Sequence, residues 1–281
     1  MRRPYVARAR PEPLYNRLLP AQSQRERIEI VLVRPRNPLN IGAAARAMAN
    51  FGFARLAVVA PYAPNWREAR SAVGAPELLK NARQAATLAE AVSGCTLVAG
   101  TGTLAHRKPD QRVVRLPEVT ELFALELERG GRVALVFGPE KHGLTREDLS
   151  WCHLLVEIPT DPLQPSMNLG QAVAVCLYEL ARGLAPFSPG EDPATDATFP
   201  HADSRADSGA LDVLAGAIEE TMGEAGYSPA IMRDANRLDL RLLLRRLAFK
   251  EPDARRALRL FRRILWRMRH ADEIGKSSES E

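Results

Sequence analysis

The sequence predicts an α/β protein with a parallel sheet, followed by a small helical extension. Five short runs rich in Val, Leu and Ile alternate with helix-like patterns between residues 28 and 184, which is typical of buried parallel strands covered by helices on both faces. Residues 185–209 are rich in Pro, Asp, Ser and Ala and indicate an exposed acidic linker. Beyond this linker, apolar residues recur at helical spacing.

The elements follow from these patterns in chain order. We expect strands at 28–33, 55–60, 96–100, 132–137 and 154–158. We expect helices at 41–51, roughly 66–91, roughly 117–128, 145–151 and 169–184, which complete an α/β domain over 28–184. Three more helices, at 210–226, 229–249 and 252–270, form a basic extension over 210–271, and Pro near the start of the last two signals their N-termini. Residues 1–27 are predicted to be a flexible basic arm and 272–281 a disordered tail.

Composition places the chain among globular proteins. Of its 281 residues, 46% are hydrophobic and 26% charged, which is enough for a buried core. No run reaches the roughly 18 apolar residues of a membrane helix, and the basic N-terminus lacks the apolar segment of a secretory signal. Cys95, Cys152 and Cys176 are far apart in apolar surroundings, so we expect buried, reduced thiols, no metal site and a cytoplasmic location.

Positive charge is concentrated towards the two ends of the chain. Lys and Arg outnumber Asp and Glu by seven to two in residues 1–27 and by thirteen to four in 233–269, whereas 186–212 carries one base and six acids. Clustered bases gain affinity for phosphate backbones by counterion release. Twelve of the thirteen are arginine, which can bind phosphate in a bidentate manner. The pattern favours a polyanionic partner, with ordinary solvated helix faces as the alternative.

The stretch VRPRNPLNIGAAARAMANFGF, residues 33–53, places two asparagines and an arginine around a helix of small residues. Asn40 precedes the expected helix and can cap it, while Pro38 fixes the turn. Gly42 and the alanines after it let a ligand approach the helix N-terminus. Arg46 lies about one and a half turns further on. Two hypotheses follow: a capped turn with a solvated arginine, or a site that holds a polar substrate.

Two further stretches lie where expected strands end, which is where open α/β sheets bind ligands. In LVFGPEKHGL, residues 135–144, Gly138 lets a ligand pack on the backbone and Glu140 adds a carboxylate. His142 has no Ser/His/Asp or Cys/His set around it, so we expect an exposed loop histidine. AGTGT, residues 99–103, lacks the third glycine and the distant acid of a dinucleotide fingerprint.

The stretch IPTDPLQPSMNLGQAVAVCLYEL, residues 158–180, places three prolines before an amphipathic helix. The prolines fix an extended loop, and the SMN triplet then opens a helix whose N-terminal amides are free for a ligand. Ser166 could also be a simple N-cap. A loop restrained this strongly favours a binding role over mere connection.

The stretches at 33–53, 135–144 and 158–180, in this order and spacing, resemble the motifs of the SPOUT RNA methyltransferases of the SpoU/TrmH branch. Within that branch they are most similar to the TrmJ-type tRNA 2′-O-methyltransferases. The resemblance covers roughly residues 28–184, and the helical extension matches only in length and character. It implies a C-terminal trefoil knot in the α/β domain, a homodimer, and S-adenosylmethionine as methyl donor without a metal. It further implies methylation of a ribose 2′-hydroxyl in RNA, with position 32 of the tRNA anticodon loop as target and no DNA partner.

The resemblance also implies roles for individual residues. The catalytic group comprises Asn40, Arg46, Glu140, Ser166 and Asn168. The S-adenosylmethionine-binding group comprises Thr101, Gly102, Thr103, Gly138, Ile158, Ser166, Met167 and Asn168. Arg46 is expected to position a phosphate and to stabilise the developing oxyanion, with Glu140 holding Arg46 across the site. Gly170 departs from the Ser or Ala of many relatives, and the arm before the first strand is an addition.

Other functions are weighed against this one. An rRNA 2′-O-methyltransferase would share the same catalytic domain. A nucleotide-dependent oxidoreductase would need a full glycine fingerprint after the first strand, which residues 33–46 do not supply. A non-catalytic RNA-binding homologue would not need the five catalytic-group residues together. The sequence therefore predicts a tRNA 2′-O-methyltransferase.

Overall fold

The computed structural model describes residues 20–102, 109–184, 204–227 and 230–270. The expectations for residues 1–19, for most of the acidic linker and for the C-terminal tail lie outside these ranges. Among the residues inside them, no helix is both long enough and apolar enough to cross a membrane.

Seven strands form one sheet in which every pairing is parallel. They are β1 (Ile28–Val33), β2 (Arg55–Val59), β3 (Arg83–Ala85), β4 (Leu97–Thr101), β5 (Arg112–Arg115), β6 (Val133–Phe137) and β7 (Leu154–Glu157). Their order across the sheet is β3-β2-β1-β6-β4-β7-β5. The register places Ile30 of β1 opposite Leu56 on one side and Leu135 on the other. The prediction of a parallel α/β sheet is confirmed.

Helices cover both faces of the sheet because successive strand side chains point to opposite sides. In β1, Ile30 and Leu32 join the larger apolar core, whereas Val31 and Val33 join the smaller one. The larger core lies under α2 (Pro38–Asn50), α5 (Leu116–Glu128) and α7 (Leu169–Leu184), and the smaller under α4 (Leu88–Val92) and α6 (Arg146–Ser150). This alternation explains why the strands read as unbroken apolar runs.

The long helix expected over 66–91 is wrong. The chain there forms a single 3-10 turn at Trp66–Glu68, then α3 (Pro76–Asn81), the edge strand β3 and α4. Pro76 opens a new helix, and β3 is fixed because Arg83 Nη2 donates to Glu29 Oε1 at 2.7 Å. Two of the three residues of β3 and three of the four in β5 are exposed, so neither strand has an apolar signature.

Residues 20–27 are ordered against the sheet domain and are not part of a flexible arm. A short helix, α1, spans Gln22–Arg25. Arg25 Nη1 donates to the carbonyl oxygen of Gly52 at 3.1 Å, and Arg27 Nη1 donates to that of Leu127 at 2.6 Å. The expectation of an unstructured arm is therefore wrong for this part, because its arginines have carbonyl partners that the sequence does not reveal.

The helical extension consists of α8 (Ser208–Glu224), α9 (Arg233–Leu247) and α10 (Glu251–Arg269). It has a small core of its own, formed by Ala206, Leu211, Leu214, Ala215, Leu244 and Ala254. The start of α8 joins the α/β part through backbone hydrogen bonds from Ser208 to Cys95 at 3.0 Å and from Gly209 to Ser93 at 2.9 Å.

A buried arginine makes the second attachment of the extension. Arg245 of α9 is only 4% exposed, and its Nε donates to the carbonyl oxygen of Trp151, at the end of α6, at 3.1 Å. Arg241 stacks on the Trp151 ring at 4.1 Å and pairs with Glu147 at 2.5 Å. Burial lowers the pKa of Arg245 to about 10. A buried cation is costly without partners, so these contacts define one specific docking geometry.

Helices α2 and α7 cross closely at Gly170. A Cβ atom at this position would lie 2.7 Å from the Cβ of Ala43, a distance that neighbouring carbon atoms do not adopt. Glycine at position 170 is thus a requirement of this helix crossing, which in turn places the loop before α7 beside the start of α2.

We predict opposite effects for two glycine-to-alanine substitutions in helices. Gly170→Ala should lower the free energy of unfolding by about 1–3 kcal/mol because it overpacks the α2–α7 crossing. Gly216→Ala in α8, where no described atom lies within 4 Å of the added Cβ, should raise it by about 0.5–1 kcal/mol through helix propensity. Urea unfolding curves measure both values, and effects of the same sign would contradict the crossing argument.

Candidate methyl-transfer site

A cavity of about 220 Å³ lies beyond the carboxyl ends of β4, β6 and β7. Three separate segments form its walls: residues 101–102 at the end of β4, 137–143 at the end of β6, and 158–172 after β7. The carboxyl edge of a parallel sheet is where α/β proteins bind ligands. The motif segments at strand ends therefore meet at one place.

Most of the residues expected to bind S-adenosylmethionine line this cavity. They are Thr101, Gly102, Gly138, Ile158, Ser166 and Met167. Thr103 lies outside the described residues. Asn168 is not in the wall itself and instead contacts Asn40 of α2. The structure thus collects six of the eight residues around one space, although 66 positions separate Thr101 from Met167.

Gly138 and Thr101 shape the cavity floor, the first by allowing a close backbone approach and the second by a side-chain hydrogen bond to a backbone carbonyl. A Cβ at Gly138 would lie 2.3 Å from the backbone nitrogen of Leu144 and 2.4 Å from the carbonyl carbon of Gly143, so only glycine allows the 138–143 loop to fold back on itself. Thr101 is buried, and its hydroxyl donates to the carbonyl oxygen of Val136 at 3.0 Å. Backbone geometry therefore fixes the floor before any ligand binds.

The helix caps differ from expectation. Asn37 is the N-cap of α2, since its side-chain oxygen accepts a hydrogen bond from the backbone N–H of Leu39 at 2.9 Å. The prediction that Asn40 caps this helix is wrong because the helix begins three residues earlier, at Pro38. Ser166 does not cap α7 either: Asn168 Oδ1 accepts from the backbone N–H of Gly170 at 2.9 Å. Asn40 is thereby free for another role.

Asn40, Glu140 and Asn168 form a hydrogen-bonded group that we call the amide–carboxylate cluster. Asn40 Nδ2 donates to Glu140 Oε1 at 2.8 Å, and Asn168 Nδ2 donates to Asn40 Oδ1 at 3.0 Å. The Glu140 carboxylate also accepts the backbone N–H groups of Arg36 at 3.1 Å and Asn37 at 3.2 Å. One residue from each of the three sequence motifs takes part, so the cluster joins them at the edge of the cavity.

Arg46 lies apart from this cluster. Its side chain is exposed on α2, and it makes no ion pair with any acid in the described parts of the chain. The expectation that Glu140 holds Arg46 is therefore wrong, because the Glu140 oxygens are taken by Asn40 and by backbone N–H groups. The positive charge of Arg46 is left facing solvent.

Hydrogen bonds control the charge of Glu140. Partial burial alone would raise the pKa of Glu140, but the donors from Asn40, Arg36 and Asn37 lower it below its ordinary value. Donors that bond to a carboxylate stabilise the ionised form. Glu140 is thus an anion at neutral pH that needs no cation beside it.

Two features of the site were not predicted from the sequence. Lys141 lines the cavity and is exposed, and its place in the GPEKHG loop next to Glu140 was the available signal. His142 is the exposed loop histidine that the sequence predicts, and it also lines the cavity. A larger cavity of about 470 Å³ shares Thr101 and Gly102 with the first and is closed by Leu238 and Leu242 of α9. It could not be predicted because it depends on the docking of α9 against α6.

A family model described as the SpoU rRNA Methylase family matches residues 27–178. The Pseudomonas aeruginosa protein named tRNA (cytidine/uridine/adenosine-2′-O-)-methyltransferase TrmJ is 45% identical over 157 residues, 55% of this chain and 60% of that protein. The Escherichia coli K12 protein named tRNA (cytidine/uridine-2′-O-)-methyltransferase TrmJ is 34% identical over 247 residues, 85% of this chain and 94% of that protein. The first match thus spans about three fifths of its relative and the second nearly all of it.

Solved structures show the same similarity. TrmJ from Zymomonas mobilis has a TM-score of 0.71 and 29% identity, covering 84% of this chain and 98% of that one. A probable methyltransferase from Bordetella pertussis has a TM-score of 0.53 and 32% identity, covering 58% of this chain and 99% of that one. The similarity to the first of these structures extends beyond the α/β part.

We predict that Glu140→Gln lowers the free energy of unfolding at neutral pH by about 1 kcal/mol. The substitution replaces one acceptor oxygen of the carboxylate by an NH₂ group, which would then face another N–H donor. A carboxyl whose folded-state pKa is lowered contributes stability above its ordinary pKa and loses it as the pH falls through the folded value. The difference from the unchanged protein should therefore shrink as the pH falls below the ordinary glutamate pKa of about 4.3. Denaturant unfolding at several pH values measures it.

The matched control for this prediction is Glu128→Gln, at an exposed carboxylate at the end of α5. It should change stability little at any pH. Equal losses in both variants, or a Glu140→Gln deficit that persists in acid, would contradict the assigned role of the Glu140 hydrogen bonds.

Proposed function

This chain belongs to the SpoU rRNA methylase family, and from that premise we propose that it transfers a methyl group from S-adenosylmethionine to a ribose 2′-hydroxyl of tRNA. The observation that carries the proposal is the convergence of three motif segments on one cavity, joined by the amide–carboxylate cluster. The names of both relatives specify cytidine and uridine of tRNA, and one of them adds adenosine. We propose position 32 of the anticodon loop as the target.

The cavity suits the methyl donor in its chemistry. Phe137, Ile158 and Leu169 offer apolar walls for an adenine ring, while Gly102 and Gly138 expose backbone groups to polar parts of the donor. We propose that the predicted set holds it: Thr101, Gly102, Thr103, Gly138, Ile158, Ser166, Met167 and Asn168. When bound, S-adenosylmethionine supplies a methyl group already activated by its sulfonium, so the reaction needs no metal and depends on alignment.

Arg46 is proposed to act on the RNA. Its guanidinium is exposed and unpaired among the described residues, which leaves its five donors available for a phosphate and for the oxygen that attacks the methyl group. A fixed cation near a developing oxyanion lowers the barrier to its formation. An arginine keeps its proton at neutral pH, so Arg46 stabilises charge and does not act as the base.

The amide–carboxylate cluster is proposed to orient the reacting groups. Asn40 and Asn168 add polar atoms without net charge beside the cavity, and Ser166 supplies a hydroxyl in its wall. Glu140 is hydrogen-bonded to Asn40 and to the backbone before α2, so it positions the asparagine without contacting the substrates itself. In this arrangement Asn40, Ser166 and Asn168 contact the substrates, and Glu140 is a positioning residue.

We propose a homodimer that pairs through α2 and α7. Leu39 is 54% exposed and Tyr178 52% exposed, and Leu39 lies two helical turns from Arg46 on the same face of α2. An exposed apolar face beside a functional arginine favours burial against a second copy. The trefoil knot stays part of the proposal, supported by the insertion of β7 between β4 and β5. The free, buried cysteines support a cytoplasmic location.

The proposal is tested by transfer of labelled methyl from S-adenosylmethionine to unmodified total tRNA and rRNA, followed by nucleoside analysis. We expect 2′-O-methylcytidine or 2′-O-methyluridine in tRNA, and mapping of the modified site tests position 32. Methyl groups found only in rRNA would support the alternative substrate. Donor binding without transfer to either RNA would support a non-catalytic RNA-binding protein.

We predict that Arg46→Ala lowers kcat about 10²- to 10³-fold, the range for loss of one group that stabilises an oxyanion. Affinity for S-adenosylmethionine should not change, because Arg46 does not line the cavity. Arg129→Ala, at an exposed arginine beyond α5, is the matched control and should keep full turnover. Full turnover by Arg46→Ala, or loss of donor binding, would contradict the proposed role.

A further inference from the structure

The outward face of α10 carries a row of four arginines. Arg256, Arg259, Arg263 and Arg267 are spaced three, four and four residues apart, which places them on one side of the helix. All four side chains are exposed. We call them the arginine row. Arg262 is also exposed but lies about 120° around the helix from Arg256, outside the row.

The arginine row is not neutralised within the parts of the chain that the structure describes. None of its members has an ion pair there, and Arg263 instead lies over the Trp266 ring at 4.5 Å. Two other arginines of the same helix do have acidic partners, since Arg255 pairs with Glu251 and Arg269 with Glu220 and Glu224. Like charges one turn apart destabilise a helix, so the row carries a cost that folding does not explain.

The inner face of α10 is already occupied. Ala254 and Leu265 are buried, and Leu258 and Phe261 pack against the core formed with Leu211 and other apolar residues of α8. A basic amphipathic helix binds a membrane by burying its apolar face in the lipid. That face is not available here, so the charge pattern favours a polyanion over a lipid surface.

An aromatic pair lies beside the arginine row. Trp266 is 42% exposed and stacks on His270, with ring centroids 4.8 Å apart and planes 19° from parallel. Exposed aromatic rings next to arginines are the usual means of contacting unpaired bases of RNA. Phosphate-binding and base-stacking groups therefore occur together on one surface.

We infer that the arginine row, flanked by Trp266 and His270, is a second RNA-binding surface that contacts the sugar–phosphate backbone of the substrate outside the methyl-transfer cavity. Arginine favours this role because its planar fork binds a phosphate in a bidentate manner. Packing of α10 on α8 holds the four guanidinium groups on a rigid support. The inference depends on the proposed function only in taking tRNA as the RNA that binds to this surface.

The test compares two double variants of equal charge. Arg259→Gln with Arg267→Gln removes two members of the row, and Arg255→Gln with Arg269→Gln removes two paired arginines from the same helix. Affinity for unmodified tRNA is measured by fluorescence anisotropy between about 50 and about 200 mM salt, where each lost phosphate contact flattens the log–log salt slope by about 0.7 for single strands. Circular dichroism checks that both variants stay helical.

We expect the row variant to bind tRNA more weakly, with a salt slope flatter by about 1.4. Across that range the unchanged protein would then lose about sevenfold more affinity than the row variant. The control should keep the original slope. Equal changes in both variants, or no change in either, would overturn the inference, as would row-dependent binding to phosphatidylserine vesicles in place of tRNA.

The binding measurement requires no turnover, so it separates the two proposals. Row-dependent tRNA binding without methyl transfer would refute the proposed function and support the binding surface. Methyl transfer to tRNA with identical salt slopes for both double variants would refute the binding surface alone.

Discussion

The Glu140 carboxylate is the point on which the geometry of the site depends. It accepts hydrogen bonds from the Asn40 amide and from two backbone N–H groups before α2, and Asn40 accepts one from Asn168, which caps α7. The loop after β6, the start of α2 and the start of α7 are therefore positioned by one another. Because hydrogen bonds stabilise this anion without a nearby cation, Glu140 does not use Arg46, which has no acidic partner among the described residues.

The strands of the sheet show which elements the sequence patterns could predict and which they could not. Ile30, Val31 and Leu32 belong to a strand buried on both faces, and such strands are visible as unbroken apolar runs. Gln84 and Val113 lie in short edge strands with mostly exposed side chains, so neither strand forms an apolar run long enough to be recognised. The order of the strands depends on packing between segments that are distant in the chain, so local sequence patterns do not predict it.

The candidate site likewise has features that the sequence predicted and features that it did not. The sequence motifs identified which segments converge, because glycine, proline and asparagine clusters mark strand ends and helix starts. They could not assign hydrogen-bond partners: Asn37 and Asn40 are the same residue type three positions apart, and only the starting point of α2 decides which one is the cap. Likewise, the sequence does not distinguish Arg245 from a surface arginine, because only the docking of α9 buries it against Trp151.

The place of β5 in the sheet has a consequence for synthesis on the ribosome. Among the described strands β5 pairs only with β7, and residues 116–153 lie between them in the chain. An emerging polypeptide therefore carries the β5 segment without its partner strand until β7 has left the exit tunnel. The cavity walls at residues 158–172 emerge later still. Nascent chains thus pass through a period in which a strand edge is open to other molecules, and the walls of the cavity are complete only after that period has ended.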